Sequence, residues 1–224
     1  MGAVKAGCVL VSSPDSFSSQ EMATRLRLGE AKAVFTHDVN LRGGKELPLK
    51  AIVDEALTLG GCDSVKNVLV VKRSGAAIDM KSGRDRYMSE VTDQQATTCE
   101  PEWVEAEHPL FILYTSGSTG KPKAIIHSHG GMIIEQYKAI SLQMDVHPRE
   151  RMFFFTTTGW MMWNFIVSAL LLDAVPVLYD GNPAFPAPDA LWRMVEQTGA
   201  SYFGASPTYI GILDKAGIVP RERC

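Results

Sequence analysis

Cysteine is scarce and widely scattered. Cys8, Cys62, Cys99 and Cys224 never approach C-x-x-C spacing and no histidine cluster stands at zinc spacing, so neither a disulfide framework nor a structural zinc site is expected. The thiols read as reduced. An excess of either charge is missing too: 22 basic and 25 acidic residues leave a formal net charge of −3, which offers no field for nucleic acid and no polybasic anchor for a membrane. The longest apolar run, Phe165–Leu172, is far below a bilayer span, and the first residues do not form a secretory leader. The expectation is a soluble, cytoplasmic protein, although a targeting segment upstream is compatible with the same residues. There is no internal repeat and no low-complexity tract. At 46% hydrophobic and 21% charged, the 224 residues suffice to bury a core of one large or two small domains.

What is present is the run HPLFILYTSGSTGKPKAIIHSHGG at 108–131. Leu110–Tyr114 is an apolar run of the kind that forms a strand buried on both faces, and Ala124–Ile126 restarts the β pattern. Between them Thr115, Ser116, Gly117, Ser118, Thr119 and Gly120 supply four hydroxyls and a backbone that an anion can approach closely. Lys121 and Lys123 add positive charge. Pro122 stops the loop from running directly into a helix, and the spacing fails the G-x-x-x-x-G-K-[ST] template, so this is a phosphate-handling loop of another kind. The competing reading is a flexible linker. Lysines flanking a proline between two strands argue against it.

Along the chain, apolar runs alternate with helical patterns. Cys8–Val11 reads as a strand lacking the element that should lead into it, so the start looks truncated. Ser18 or Ser19 caps a helix to about Leu28, with Met22, Leu26 and Leu28 facing inward. Ala31–Thr36 reads as a strand and Asn40–Lys45 as a glycine turn. Pro48 opens a helix with Ile52, Val53, Ala56 and Leu57 at helical spacing, and Val68–Val71 is a third strand. Residues 73–107 turn polar, which predicts irregular surface structure. The lobe boundary is placed at its end, with 1–107 a first α/β lobe and 108–224 a second that carries the phosphate loop. The second lobe is predicted to hold a helix from Gly130 to about Leu142, a strand at Met152–Thr156, a turn at Thr157–Trp160 and a helix over Met162–Leu172. A strand at Val175–Leu178, a loop to Pro188, a helix capped by Asp189, a strand at Ala200–Phe203 and a helix over Pro207–Lys215 complete it. This rhythm predicts an α/β fold of mostly parallel sheets flanked by helices, cut at both ends.

Thr115 through Lys123 resembles the signature of the adenylate-forming, AMP-binding enzymes. Further stretches narrow the likeness to their acetyl-CoA synthetase and acetoacetyl-CoA synthetase branch. HPLFILYTSGSTGKPK, and LRGGKELPLKAIVDEAL with SVKNVLVVKRSG, resemble acetyl-CoA synthetases, whereas TTTGWMMWNF with PVLYDGNPAFP looks most like acetoacetyl-CoA synthetases. The likeness covers nearly all of the chain and implies a piece of the family's large N-terminal domain.

By that resemblance the parent protein is an acid–thiol ligase using ATP, Mg²⁺ and CoA. A short carboxylic acid, acetate-like or acetoacetate-like, attacks the α-phosphorus, and a CoA thiol then displaces AMP. The resemblance assigns Thr115, Ser116, Gly117, Ser118, Thr119, Gly120 and Lys123 to the β- and γ-phosphates, with Thr119 and Lys123 as the catalytic pair; Lys121 fits the motif or faces solvent. Arg42 falls where acetyl-CoA synthetases place an arginine on the CoA nucleotide. Lys45 replaces a second arginine, keeping the charge and losing the bidentate fork. A solvated turn is the alternative for both, and Asp15-Ser16 stands where the family has a glycine pair. Gly159, Trp160, Met161, Met162, Trp163 and Asn164 stand beside the acyl group. They either pack a helix start into the core or, through the Trp163 indole and the Asn164 amide, read a second carbonyl. His127 and His129, two apart on a strand, read as packing residues, and no metal ligands are assigned. The chain stops before the family's adenine loop, ribose aspartate and C-terminal lysine domain, so the fragment alone is expected to be inactive. Two alternatives stand beside this reading: a nucleotide-phosphate-binding or structural fragment, and a carrier-protein thiol as the acceptor in place of CoA.

Overall fold

The computed structural model describes residues 1–14, 17–115 and 122–222. The chain divides into two compact units, residues 1–128 and 129–224.

The first unit opens with a short helix α1 (Gly2–Lys5) and strand β1 (Leu10–Val11). Helix α2 (Ser19–Leu28) begins where its cap predicts. Ser18 Oγ accepts from the Glu21 N–H while the Glu21 carboxylate accepts from the Ser18 N–H, closing a capping box. Ala23 and Leu26 face inward, whereas Leu28, expected inside, is 54% exposed. Two positions along a helix is about 200° of rotation, so Leu26 and Leu28 cannot share a face.

Strands β2 (Ala33–His37), β3 (Asn40–Arg42) and β4 (Lys45–Leu47), helix α3 (Leu49–Thr58) and strand β5 (Asn67–Val71) follow. The polar excursion after them is not wholly irregular: it contains β6 (Asp85–Tyr87) and α4 (Met88–Thr92). Strands β2, β5 and β6 form a parallel sheet with β5 in the centre. The alternate residues Val68 and Val70 of β5 are fully buried with Ala23 and Leu26 of α2 and Val53 and Ala56 of α3, the period-two pattern of a strand meeting two helix stripes.

Strand β7 (Pro109–Thr115) pairs in parallel with β1 and in antiparallel with β8 (Lys123–Ser128). The expected two-faced burial is not found here. Only Phe111 of β7 is buried and Lys123–Ile126 are exposed, because β8 is an edge strand of this three-stranded sheet. Since β7 is hydrogen-bonded to β1, it packs with the first unit, and the compact division falls after Ser128 rather than after residue 107.

A buried ion network fastens β6 to α3. Lys50 pairs with Asp54 at 2.6 Å and with Asp85 at 2.8 Å, and Arg84 bridges the same two carboxylates. Burial alone would raise the Asp85 carboxyl, but hydrogen bonds from Arg84, Lys50 and the Lys81 N–H outweigh it and hold the group well below the usual carboxylate range.

In the second unit, helix α5 (His129–Lys138) runs on into a π-helical turn, Ala139–Gln143. Strand β9 (Arg151–Phe154) leads to α6 (Met161–Val167) and a 3₁₀ turn, Ser168–Leu172, then to β10 (Val175–Pro176), which is shorter than the sequence pattern suggests. Helix α7 (Ala190–Thr198), strand β11 (Tyr202–Gly204), helix α8 (Pro207–Lys215) and a final 3₁₀ turn, Pro220–Glu222, complete it. The strands are parallel in the order β10-β9-β11, so β9 is central. Met152 joins a core with Ile140, Phe165, Ile166 and Ala169, while its neighbour Phe153 joins Leu191, Tyr209 and Leu213. Adjacent strand residues point to opposite faces, so helices cover both sides. Asp189 stands at the N-cap of α7 but does not cap it through its side chain, because its carboxylate pairs with Arg193 at 2.8 Å. No described helix is long and apolar enough to cross a membrane.

Asp85→Ala is expected to cost about 3–5 kcal/mol in urea unfolding, since it removes the fully buried carboxylate that Lys50 and Arg84 share and leaves Asp54 alone to balance two cations. A lowered native pKa means that Asp85 contributes stability that is complete above its unfolded value, near pH 4, and is lost as pH falls through the native value. Unfolding midpoints measured from pH 5 down to pH 2 should therefore decline more steeply in the wild type than in Asp85→Asn.

Candidate functional site

The candidate residues stand at strand ends and in the segments that join strands to the next element. Thr115 ends β7 and is the register partner of Lys123, the first residue of β8, so the two strands bring both ends of the phosphate loop side by side. Both side chains are exposed. Ser116, Gly117, Ser118, Thr119, Gly120 and Lys121 lie outside the described residues, as do Asp15 and Ser16. The root of the loop is anchored from α2. The Arg25 guanidinium lies 3.9 Å from the Phe17 ring centroid and 5.4 Å from that of Tyr114, and the Tyr114 hydroxyl donates to the Arg25 carbonyl at 3.2 Å. These are cation–π distances.

Arg42 and Lys45 face each other across the β3–β4 hairpin. The two residues between them, Gly43 and Gly44, have φ of +58° and +77°, the pair of left-handed conformations that a type I′ turn requires. Directly opposed residues have Cβ atoms about 4.5–5.5 Å apart, and like charges there repel. The hairpin leaves the sheet through Asp38, a residue to which the sequence alone assigns no role. Asp38 is fully buried. Burial alone would raise its carboxyl, but N–H groups of Val39, Arg73, Ser74 and Gly75 hold it well below the usual carboxylate range.

In the second unit, Gly159 and Trp160 lead from β9 into α6, and Met161, Met162, Trp163 and Asn164 form its first turn. The chain runs from the central strand out to β10 and back across to β11, the arrangement that opens a crevice at the carboxyl ends of a parallel sheet. Gly204 on β11 permits a close approach there: a Cβ on it would meet Phe154 Cδ2 at 2.1 Å. A cavity of about 20 Å³ is lined by residues 153–156, Trp163, Ile166 and 177–179, room for about one water. The candidate residues divide. Trp160 and Met161 are at least half exposed, and Met162 and Trp163 pack against the Met152 core. The Asn164 Nδ2 is shielded from solvent and has no hydrogen-bond partner among the described residues, which leaves a buried donor available to an acceptor.

The histidine pair is placed differently from the sequence picture. Strand β8 ends at Ser128, so His129 opens α5 and the two rings do not share one strand face. His127 packs on Phe111 with ring centroids 5.1 Å apart.

Comparison with known proteins bears on these placements. A family model described as AMP-binding enzyme matches residues 1–220. The acetyl-coenzyme A synthetase of Herminiimonas arsenicoxydans is 42% identical over 202 residues, which make up 89% of this chain and 31% of that protein. The acetyl-coenzyme A synthetase of Burkholderia thailandensis is likewise 42% identical over 202 residues, with the same shares. Among solved structures, the acetoacetyl-CoA synthetase from Streptomyces lividans matches with a TM-score of 0.84 at 37% identity, covering 99% of this chain and 33% of that one. The chain thus spans about a third of the length of the relatives it matches. Parallel sheets with loops gathered at their carboxyl ends, together with a family match that runs almost from end to end, show that the chain belongs to the AMP-binding enzyme family.

Proposed function

We propose that the protein carrying this chain is an AMP-forming acyl-CoA synthetase for a short, functionalised carboxylic acid. The observation that carries the reading is the pairing of Thr115 with Lys123 at the mouth of a hydroxyl- and glycine-rich loop. In the first half-reaction a carboxylate oxygen attacks the α-phosphorus of ATP, the α–β anhydride bond breaks, and pyrophosphate leaves. Magnesium enters as the complex with ATP. In the second, the CoA sulfur bonds to the acyl carbon and AMP leaves. No protein nucleophile is needed, so catalysis rests on positioning and on neutralising developing charge. Lys123 supplies a cation to the β- and γ-phosphates, and Thr115, Ser116, Ser118 and Thr119 supply hydroxyl donors. The opposed cations Arg42 and Lys45 suit the phosphates of the CoA nucleotide. The Trp163 indole, which borders the crevice, and the unpartnered amide of its chain neighbour Asn164 support an acid with a second carbonyl, such as acetoacetate, over acetate.

Lys123→Ala is expected to slow ATP–pyrophosphate exchange by about a hundredfold, the scale of losing one charge-stabilising donor. An unchanged rate would remove the lysine from the mechanism, and a wild-type protein without exchange would remove the synthetase reading itself.

Trp163→Gly is expected to shift preference from acetoacetate toward straight-chain acids, because donors that read an extra polar group discriminate strongly against analogues lacking it. Competitive adenylation with acetate, butyrate and acetoacetate measures this. An unchanged ranking assigns Trp163 to the core alone.

A further inference from the structure

Asp38 is the residue on which the basic hairpin begins and ends. Its carboxylate accepts from the Val39 N–H at 2.7 Å, the Arg73 N–H at 2.9 Å, the Gly75 N–H at 2.8 Å and the Ser74 hydroxyl at 3.1 Å, and the Ser74 N–H lies 3.2 Å from both oxygens. A carboxylate offers about four lone-pair sites, so these donors saturate it. The main chain is tied as well: the Asp38 N–H donates to the Val71 carbonyl at 3.2 Å, and the Lys50 N–H in the first turn of α3 donates to the Asp38 carbonyl at 3.3 Å. Residues 39–49 are therefore a closed excursion, and its contents are β3, the glycine turn and β4.

The excursion needs such an anchor. An isolated two-stranded hairpin is marginal in water, and this one places Arg42 opposite Lys45, a like-charge pair that weakens it further. The base supplies stiffness. Three successive N–H groups, those of Arg73, Ser74 and Gly75, converge on one buried anion in the manner of a backbone nest. They link the hairpin's base to the turn that follows β5, the central strand of the sheet.

Resting on the synthetase reading above, we infer that Asp38 is a positioning residue for the CoA half-reaction, holding the base of the β3–β4 hairpin so that Arg42 and Lys45 meet the phosphates of the CoA nucleotide. Asp38 itself has no exposure and touches no substrate. Its effect passes through the hairpin, so it belongs to thioester formation and not to adenylation.

The test separates the two half-reactions in the protein carrying this chain. Asp38→Asn keeps the size of the side chain but turns one acceptor into a donor facing N–H groups. It is expected to raise KM for CoA by about tenfold or more, the scale of a displaced positioning group, with kcat at saturating CoA near wild type. CoA-free ATP–pyrophosphate exchange should be unchanged. Ser74→Ala removes one donor and leaves the rest, so it should shift KM for CoA in the same direction by less, and it decides the matter if Asp38→Asn does not fold. An unchanged KM for CoA in a folded variant overturns the inference, as does a fall in exchange that keeps step with thioester formation, the mark of a merely structural role. Absence of exchange in the wild type overturns the synthetase reading and this inference with it.

Discussion

Parallel pairing sets where everything else stands. Two parallel strands cannot be joined by a tight turn; the chain must leave the carboxyl end of one, cross over, and enter the next from the opposite edge. It does so through α3 between β2 and β5, through α6 between β9 and β10, and through α7 between β10 and β11. Every crossover therefore starts at a carboxyl edge, where packing ends and the backbone is free to carry chemistry. The basic hairpin follows β2, the nest around Asp38 follows β5, and the residues from Gly159 to Asn164 follow β9.

The two units solve their burial problem by different means. In the second, β9 is buried on both faces by apolar side chains, and the interior is almost wholly hydrocarbon and aromatic. Swaps that conserve volume are tolerated in such cores. In the first, the apolar core of α2, α3 and β5 is supplemented by charge: Lys50, Asp54, Arg84 and Asp85 neutralise one another, and Asp38 is neutralised by backbone dipoles. Such an interior holds one arrangement well and tolerates the loss of a partner poorly.

Much of this was legible in the residues. Ser18 with Glu21 marks the start of α2 because a capping box is local, and Ser206 followed by Pro207 marks α8 for the same reason. Strand β6 was hidden because Asp-Arg-Tyr carries no apolar period; its place in the sheet is set by Lys50 and Asp54, more than twenty residues upstream. Asp38 was missed for a related reason. Within its own stretch it looks like any turn aspartate, and the donors that bury it come from residues 73–75. The twofold exposure of β8 was also invisible, since Ala-Ile-Ile reads as a buried strand and only the tertiary pairing shows it to be an edge. Local chemistry can be read from local sequence; non-local charge pairing cannot.

Strand β9 acts as a bulkhead. Met152 belongs to the core on one face and Phe153 to the core on the other, and Trp163, packed against the Met152 core, also lines the cavity that Phe153 borders. Repacking confined to Ile140, Phe165 and Ala169 stays on the face away from Leu191, Tyr209 and Leu213. Side chains on one face of the strand can therefore be exchanged for others of like volume while the opposite core keeps the unit folded.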